Sequence, residues 1–364
     1  MALTLENVSK TVGRETHIDG VSLECAPGSF NVLLGLTLAG KTSLMRLMAG
    51  LDRPTSGRVY MDGRDVTGVP VRKRNVAMVY QQFINYPSLT VYDNIASPLK
   101  LAKLSKAEID RRVRREAERL HIESMLERLP GELSGGQQQR TAMARALVRD
   151  ATLLLLDEPL VNLDYKLREE LRSEMRDIFR ERDAVVVYAT TDPLEALTLG
   201  GHAAVLHEGR LVQYGATLDV YHNPATVQVS QVFSDPPMNL IRGHLAGGEL
   251  TLGRDIRLNA PAHLRSLADG EYHLGVRPTH VAVRRRSEKD VAINGEVEVA
   301  EISGSETYVH LRHNDTAWVV QEEGVHPFSL GQHIDVFLDP QHLFAFAGDD
   351  ALVASPHRPK AVAA

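Results

Sequence analysis

The stretch Gly35-Leu36-Thr37-Leu38-Ala39-Gly40-Lys41-Thr42 fits the spacing G-x-x-x-x-G-K-[ST], the phosphate-loop pattern. An apolar run, Phe30-Asn31-Val32-Leu33-Leu34, precedes it, and Leu44, Met45, Leu47 and Met48 form an apolar stripe behind it that stops at Gly50. That is the strand, loop and helix order in which such a loop works. Backbone N–H groups of the loop and the positive end of the helix would surround the β- and γ-phosphates of a nucleotide. Gly35, Leu36, Thr37, Leu38, Ala39, Gly40, Lys41, Thr42 and Ser43 are therefore candidate nucleotide contacts. Lys41 adds a point charge, and the Thr42 hydroxyl is placed to hold Mg²⁺.

Composition narrows the class of protein around this loop. The 364 residues leave room for two domains, and 43% hydrophobic with 24% charged residues is ordinary for a soluble globular chain. A single cysteine, Cys25, rules out an intramolecular disulfide and suits a reducing, cytosolic compartment. No run approaches the ~18 apolar residues that a membrane span needs. A formal net charge of −6 supplies no broad electrostatic footprint for nucleic acid, so no nucleic-acid partner is expected.

Along the chain, alternating apolar positions at Leu3, Leu5, Val8, Ile18, Val21 and Leu23 predict two strands leading to the loop. Asp62-Gly63 predicts a tight turn after the strand Val59-Tyr60-Met61, and Val76-Ala77-Met78-Val79-Tyr80 predicts a strand ending at Gln81. From Asn94 the pattern turns helical and strongly charged, with Ser105-Lys106-Ala107-Glu108 in the form of a capping box. A helical subdomain inserted over about residues 94–140 is expected. Ser134 is a natural N-cap for the helix beyond it. Leu153-Leu154-Leu155-Leu156 reads as a strand buried on both faces of a parallel sheet, ending in Asp157-Glu158. A helix over about residues 166–180 leads to a second buried strand that ends Thr190-Thr191-Asp192. Strand and helix alternate, the α/β signature, so residues 1–235 are expected to form an α/β nucleotide-binding domain. Near Pro236-Pro237 helical stripes give way to short strand-like runs, which predict an all-β unit over residues 236–364 with a disordered tail from Ser355.

A phosphate loop, then Leu133-Ser134-Gly135-Gly136-Gln137, then a strand ending Asp157-Glu158 resembles the ATPase subunit of ATP-binding-cassette (ABC) transporters. Gln81 falls where that family has its Q-loop and Leu163-Asp164 where it has its D-loop. The remainder is similar to the oligonucleotide-fold, TOBE-type regulatory domain of the maltose and sugar-phosphate importer branch, through Gly275-Val276-Arg277-Pro278 and Pro237-Met238-Asn239. Within that branch it looks most like glycerol or polyol importers with two non-identical ATPase subunits.

The resemblance implies ATP and Mg²⁺ as ligands, with Mg²⁺ held at Thr42, Gln81 and Asp157. Glu158 would accept the proton of the attacking water, and Gln81 would sense the membrane partner. Ser134, Gly135, Gly136 and Gln137 would meet the γ-phosphate of ATP bound by a second chain. The implied partners are that second, non-identical ATPase subunit, two membrane permease subunits and an extracytoplasmic solute-binding protein. The chain itself would lie peripherally on the cytoplasmic face of the inner membrane, coupling ATP hydrolysis to uptake of a glycerol- or glycerol-phosphate-like solute. Phe83-Ile84-Asn85-Tyr86-Pro87 would help to form the groove for a cytoplasmic helix of the permease.

Three positions depart from the family. Val12 stands where an aromatic residue stacks on adenine, with His17 the nearest ring; Thr191 stands at the switch histidine; Leu36 and Leu38 replace Pro and Gly in the loop. These departures imply the degenerate half of an ATPase heterodimer. Two other readings stay open: a soluble non-transport cassette, which would carry two cassettes or a long coiled coil, and a ligand-sensing or transcription-factor-sequestering module built on the C-terminal unit.

Overall fold

The computed structural model describes residues 1–161, 165–180 and 183–357. Leu163 and Asp164, expected as the D-loop, lie outside the described residues. The chain forms two compact units, Met1–Thr217 and Leu218–Ala364.

In the first unit a six-stranded sheet runs in the order Arg210–Ala216, His202–His207, Phe30–Leu34, Val185–Thr190, Leu153–Asp157, Val76–Val79. The last five are mutually parallel and Arg210–Ala216 is antiparallel to its neighbour. Both long apolar runs are central strands buried along their whole length, as expected where helices cover both faces. Parallel strands bring their carboxyl ends to one edge, so Leu34, Val79, Asp157 and Thr190 all deliver the chain to the same crevice.

The first two strands, Leu3–Val12 and Glu15–Cys25, do not join that sheet. They pair antiparallel with each other, and Leu3–Val12 also pairs antiparallel with Ser56–Met61 in a second sheet, where Asp62 and Gly63 make the expected turn at positive φ (49° and 72°). Leu5, Val8, Ile18, Val21 and Val59 pack from this sheet into one core with Leu44, Met45, Leu47 and Met48 of the Lys41–Ala49 helix.

The inserted segment holds helices Val91–Leu101, Lys106–Arg119 and Gly135–Leu147, with two 3₁₀ turns between the second and the third. Ser105 caps the second by accepting from Glu108 N at 3.3 Å, but the capping box is only half made. The Glu108 carboxylate is taken by Arg111 (2.7 Å) and Arg112 (2.6 Å), whose hydrogen bonds pull it down to about 2. At Ser134 the box is complete: Gln137 N donates to Ser134 Oγ (3.4 Å) and Ser134 N donates to Gln137 Oε1 (3.0 Å).

In the second unit a six-stranded and a five-stranded antiparallel sheet share a core that runs from Ile241 to Ala354 and includes Trp318. The expected all-β character is present, with strands Gly270–Val276, Val291–Ile302, Glu306–His313, Thr316–Glu323 and His333–Leu338 among its members. The unit begins ahead of the composition change at Pro236, because the helical residues before it pack on the β unit. Buried Arg277 stacks over the Tyr221 ring at 3.7 Å and donates to the carbonyls of Tyr221 (2.7 Å) and Phe233 (2.9 Å). The start of the expected disordered tail is likewise ordered: Ser355 Oγ donates to the His222 carbonyl at 2.7 Å and accepts from His357 N at 3.1 Å.

Candidate nucleotide site

The phosphate loop emerges from Phe30–Leu34 and closes onto the helix Lys41–Ala49, whose N-cap Gly40 has φ of 100°. A β-carbon at Gly40 would come within 2.9 Å of the His17 carbonyl, so both the backbone turn and the close approach require glycine here. Lys41 is buried, and its ammonium donates to the carbonyls of Gly35 (2.8 Å) and Leu36 (3.2 Å). The same nitrogen lies 3.2 Å from Glu158 Oε1. Gln81 Nε2 donates to the other carboxylate oxygen at 3.0 Å. Glu158, one residue past its strand, has φ of 45°, and its N–H donates to the Ala189 carbonyl at 3.0 Å. Non-glycine residues at positive φ are uncommon and cluster at functional sites.

Asp157 is buried, and both of its carboxylate oxygens accept from Thr42 Oγ1, at 3.1 and 2.9 Å. Burial pushes its carboxyl above the usual carboxylate range; the Thr42 hydrogen bond opposes that, and the neighbouring Glu158 charge adds to it. Thr42 and Asp157 thus present oxygen ligands from two elements. Among the described residues no group of three or more His, Cys, Asp or Glu could hold a metal. Few protein ligands beside a phosphate site suit Mg²⁺, which keeps water and takes phosphate oxygens.

A cavity of about 780 Å³ gathers Thr37 to Ser43, Gln81 and Glu158 from the expected residues, and adds Glu15, Thr16, His17, Glu208 and Gly209. Val12 does not line it; it pairs with Glu15 at the hairpin end of its strand and is 52% exposed. Ser134, Gly135, Gly136 and Gln137 do not line it either. Thr191 joins Glu158, Thr190, Asp192 and Glu195 around a smaller cavity of about 50 Å³.

Glu195 was not legible as part of this region. It is a buried carboxylate that accepts from Tyr188 OH (2.8 Å) and Thr190 Oγ1 (2.7 Å), while Thr190 Oγ1 accepts from Asp192 N (3.0 Å). Burial raises its carboxyl above the ordinary range against those two hydrogen bonds. Its only sequence signal is an acidic residue on the inward side of a short helix.

Leu38 is 95% exposed and has φ of 69°. The left-handed conformation costs an L-residue about 1–2 kcal/mol, and an exposed side chain recovers nothing by burial. Leu38→Gly is therefore expected to leave the chain as stable or raise its stability by up to about 1 kcal/mol, after the larger unfolded-state entropy of glycine is subtracted. Leu38→Val, β-branched at the same φ, is expected to lower it. Thermal unfolding of the full chain checks the order Gly, Leu, Val, and a valine variant that melts highest would show that the strain argument fails.

Comparison with known proteins agrees with this geometry. The ABC transporter family model matches residues 18–161, and the TOBE domain model matches residues 274–346. The sn-glycerol-3-phosphate import ATP-binding protein of Psychromonas ingrahamii is 37% identical over 356 residues, 95% of this chain and 94% of that protein. The trehalose/maltose import ATP-binding protein of Thermococcus litoralis is 37% identical over 358 residues, 94% of this chain and 96% of that one. A solved ATP-binding cassette, a dimer in a post-hydrolysis state bound to ADP and Pi, superposes with a TM-score of 0.54 at 28% identity, covering 59% of this chain and 98% of its own. The chain belongs to the ABC transporter family.

Proposed function

We propose that this chain is the ATP-hydrolysing, energy-coupling subunit of a binding-protein-dependent importer for a carbohydrate or polyol, with a glycerol-phosphate-like solute favoured. The observation that carries the reading is the convergence of Lys41, Thr42, Gln81, Asp157 and Glu158 at the carboxyl-end edge of one parallel sheet. Relatives aligned over 94–95% of the chain are named as import ATP-binding proteins for sn-glycerol-3-phosphate or trehalose/maltose, which supports the solute class.

Lys41, now shared between two loop carbonyls and Glu158, turns to the β- and γ-phosphates of ATP when they enter the loop. That exchange leaves Glu158 free to accept the proton of the attacking water, with Gln81 holding its second oxygen. Thr42 and the buried Asp157, now hydrogen-bonded to each other, are the residues that would hold Mg²⁺ beside the phosphates. Mg²⁺, when bound, neutralises charge on the phosphates. The segment after Gln81 is tied to the helical part through Asn85 Nδ2, which donates to the Gln138 carbonyl (2.8 Å), and through buried Asn94, which bonds both backbone groups of Tyr86. Ile84 and Tyr86 remain exposed there, in reach of a permease helix. No helix among the described residues is long and apolar enough to cross a membrane.

The signature residues Ser134 to Gln137 lie apart from this chain's own cavity, which supports their use by a second cassette chain. We take that partner to be non-identical, because Thr191, without an imidazole, weakens this chain's own site while the Ser134 cap is whole. The test is ATPase activity of the complex reconstituted with its permeases in proteoliposomes. Solute-loaded binding protein should stimulate hydrolysis several-fold, with uptake following; hydrolysis indifferent to both permease and binding protein would favour the soluble, non-transport reading.

A further inference from the structure

We infer that His17, and not Val12, is the residue that stacks on the nucleobase, an inference that rests on the nucleotide-site reading above. His17 is the one ring among the described residues that line the cavity. Its direction follows from strand parity. In Glu15–Cys25 successive side chains alternate faces; Ile18 is fully buried in the core, so His17 faces the other way, into the cavity, and is 39% exposed.

The strand is clamped to the phosphate loop at this point, which fixes the distance between ring and phosphates. Asp19 N donates to the Gly209 carbonyl (2.9 Å), and Gly209 N donates to the Ala39 carbonyl (3.1 Å). A β-carbon at Gly209 would lie 2.6 Å from the His17 carbonyl, as one at Gly40 would lie 2.9 Å from it. The two glycines therefore let the His17 backbone seat directly against the loop. Charge sorts the two ends of the cavity. Lys41 and the helix N-terminus attract phosphate at one end, and the exposed carboxylates of Glu15 and Glu208 repel it from the end where His17 stands. A neutral, aromatic base suits that end. Val12 could not serve: it lies outside the cavity at the hairpin tip and has no π-face.

The experiment compares Mg-ATP with magnesium tripolyphosphate, which has the phosphates and no base, binding to the full chain by calorimetry. His17→Ala is expected to weaken ATP roughly tenfold, in line with the value of a stacked base, and to leave tripolyphosphate within about twofold. His17→Phe, another ring, should restore ATP affinity. The inference is overturned if His17→Ala binds ATP as the wild type does, if it weakens tripolyphosphate equally, if phenylalanine fails to rescue, or if Val12→Ala loses as much as His17→Ala. A wild-type chain that binds neither probe would instead overturn the nucleotide-site reading itself.

Discussion

Replacing Glu158 by Gln is expected to abolish this chain's hydrolytic contribution, lowering turnover at its site by about 10²–10⁴-fold, while ATP still binds. The amide keeps the shape of the side chain but cannot take a proton from water. It also removes the negative charge 3.2 Å from Lys41. In the free protein that ion pair must be opened before Lys41 can serve the phosphates, so the variant is expected to bind ATP as tightly as the wild type or several-fold more tightly. Turnover therefore falls while binding is kept or tightened, a combination that a merely damaged fold would not produce. Turnover is measured in the assembled complex with the partner's own catalytic carboxylate amidated, so that only this site reports. Wild-type turnover from Glu158→Gln under those conditions would mean that another group is the base.

The nucleotide site was legible because its parts are local in sequence. Gln81, Asp157 and Glu158 lie within two residues of the end of an apolar run, Lys41 and Thr42 close the loop that leaves another at Leu34, and in a parallel sheet every such end reaches the same crevice. Lys41, Thr42, Asp157 and Glu158 could thus be assigned to one place without knowing the strand order. What the chain does at longer range was less legible. The alternation of residues 3–25 predicts strands but not which sheet they join, and they form a separate antiparallel sheet whose inner face packs on the Lys41–Ala49 helix.

Other differences come from competition between local rules. Ser105-x-x-Glu108 satisfies the capping-box spacing, yet Glu108 has two arginines at i+3 and i+4, and charge-assisted hydrogen bonds to them take precedence over the backbone N–H. The boundary at Pro236 followed a change in composition, whereas packing sets the units, and one buried arginine ties the two helices before Pro236 to the β unit. Val12 is matched by its place in the chain to a base-stacking position, but the hairpin between Val12 and Glu15 turns it out of the cavity and brings His17 in. The clamp by Gly209 could not be read from the sequence, because it joins residues so far apart in the chain.

On the proposed pairing with a non-identical cassette, the two composite sites are expected to turn over unequally. On that proposal this chain's own loop would be served by Thr191, which lines the small cavity together with Glu158. A threonine hydroxyl can donate one hydrogen bond to a γ-phosphate, but it cannot carry the positive charge of a protonated imidazole. Charge that develops in the transition state is stabilised by charged and preorganised donors, and losing one such donor typically costs about 10²–10³-fold in rate. Binding depends less on that group, because Lys41 and the loop N–H groups still hold the phosphates. The proposed site formed by the partner's loop with Ser134, Gly135 and Gly136 does not use Thr191, and the helix N-terminus it takes from this chain is intact with its capping box complete. The purified chain alone is therefore expected to show little ATPase activity. In the complex, mutation of the partner's catalytic carboxylate should remove most turnover, and the Glu158→Gln variant should remove little of the total even though it silences its own site. Thr191→His should raise turnover at this chain's site by at least about tenfold without tightening ATP, which separates a rate effect from a binding one. Equal rates from the two sites, measured with one catalytic carboxylate amidated at a time, would defeat the asymmetric arrangement. A histidine at position 191 that changes nothing would assign the missing charge to another residue.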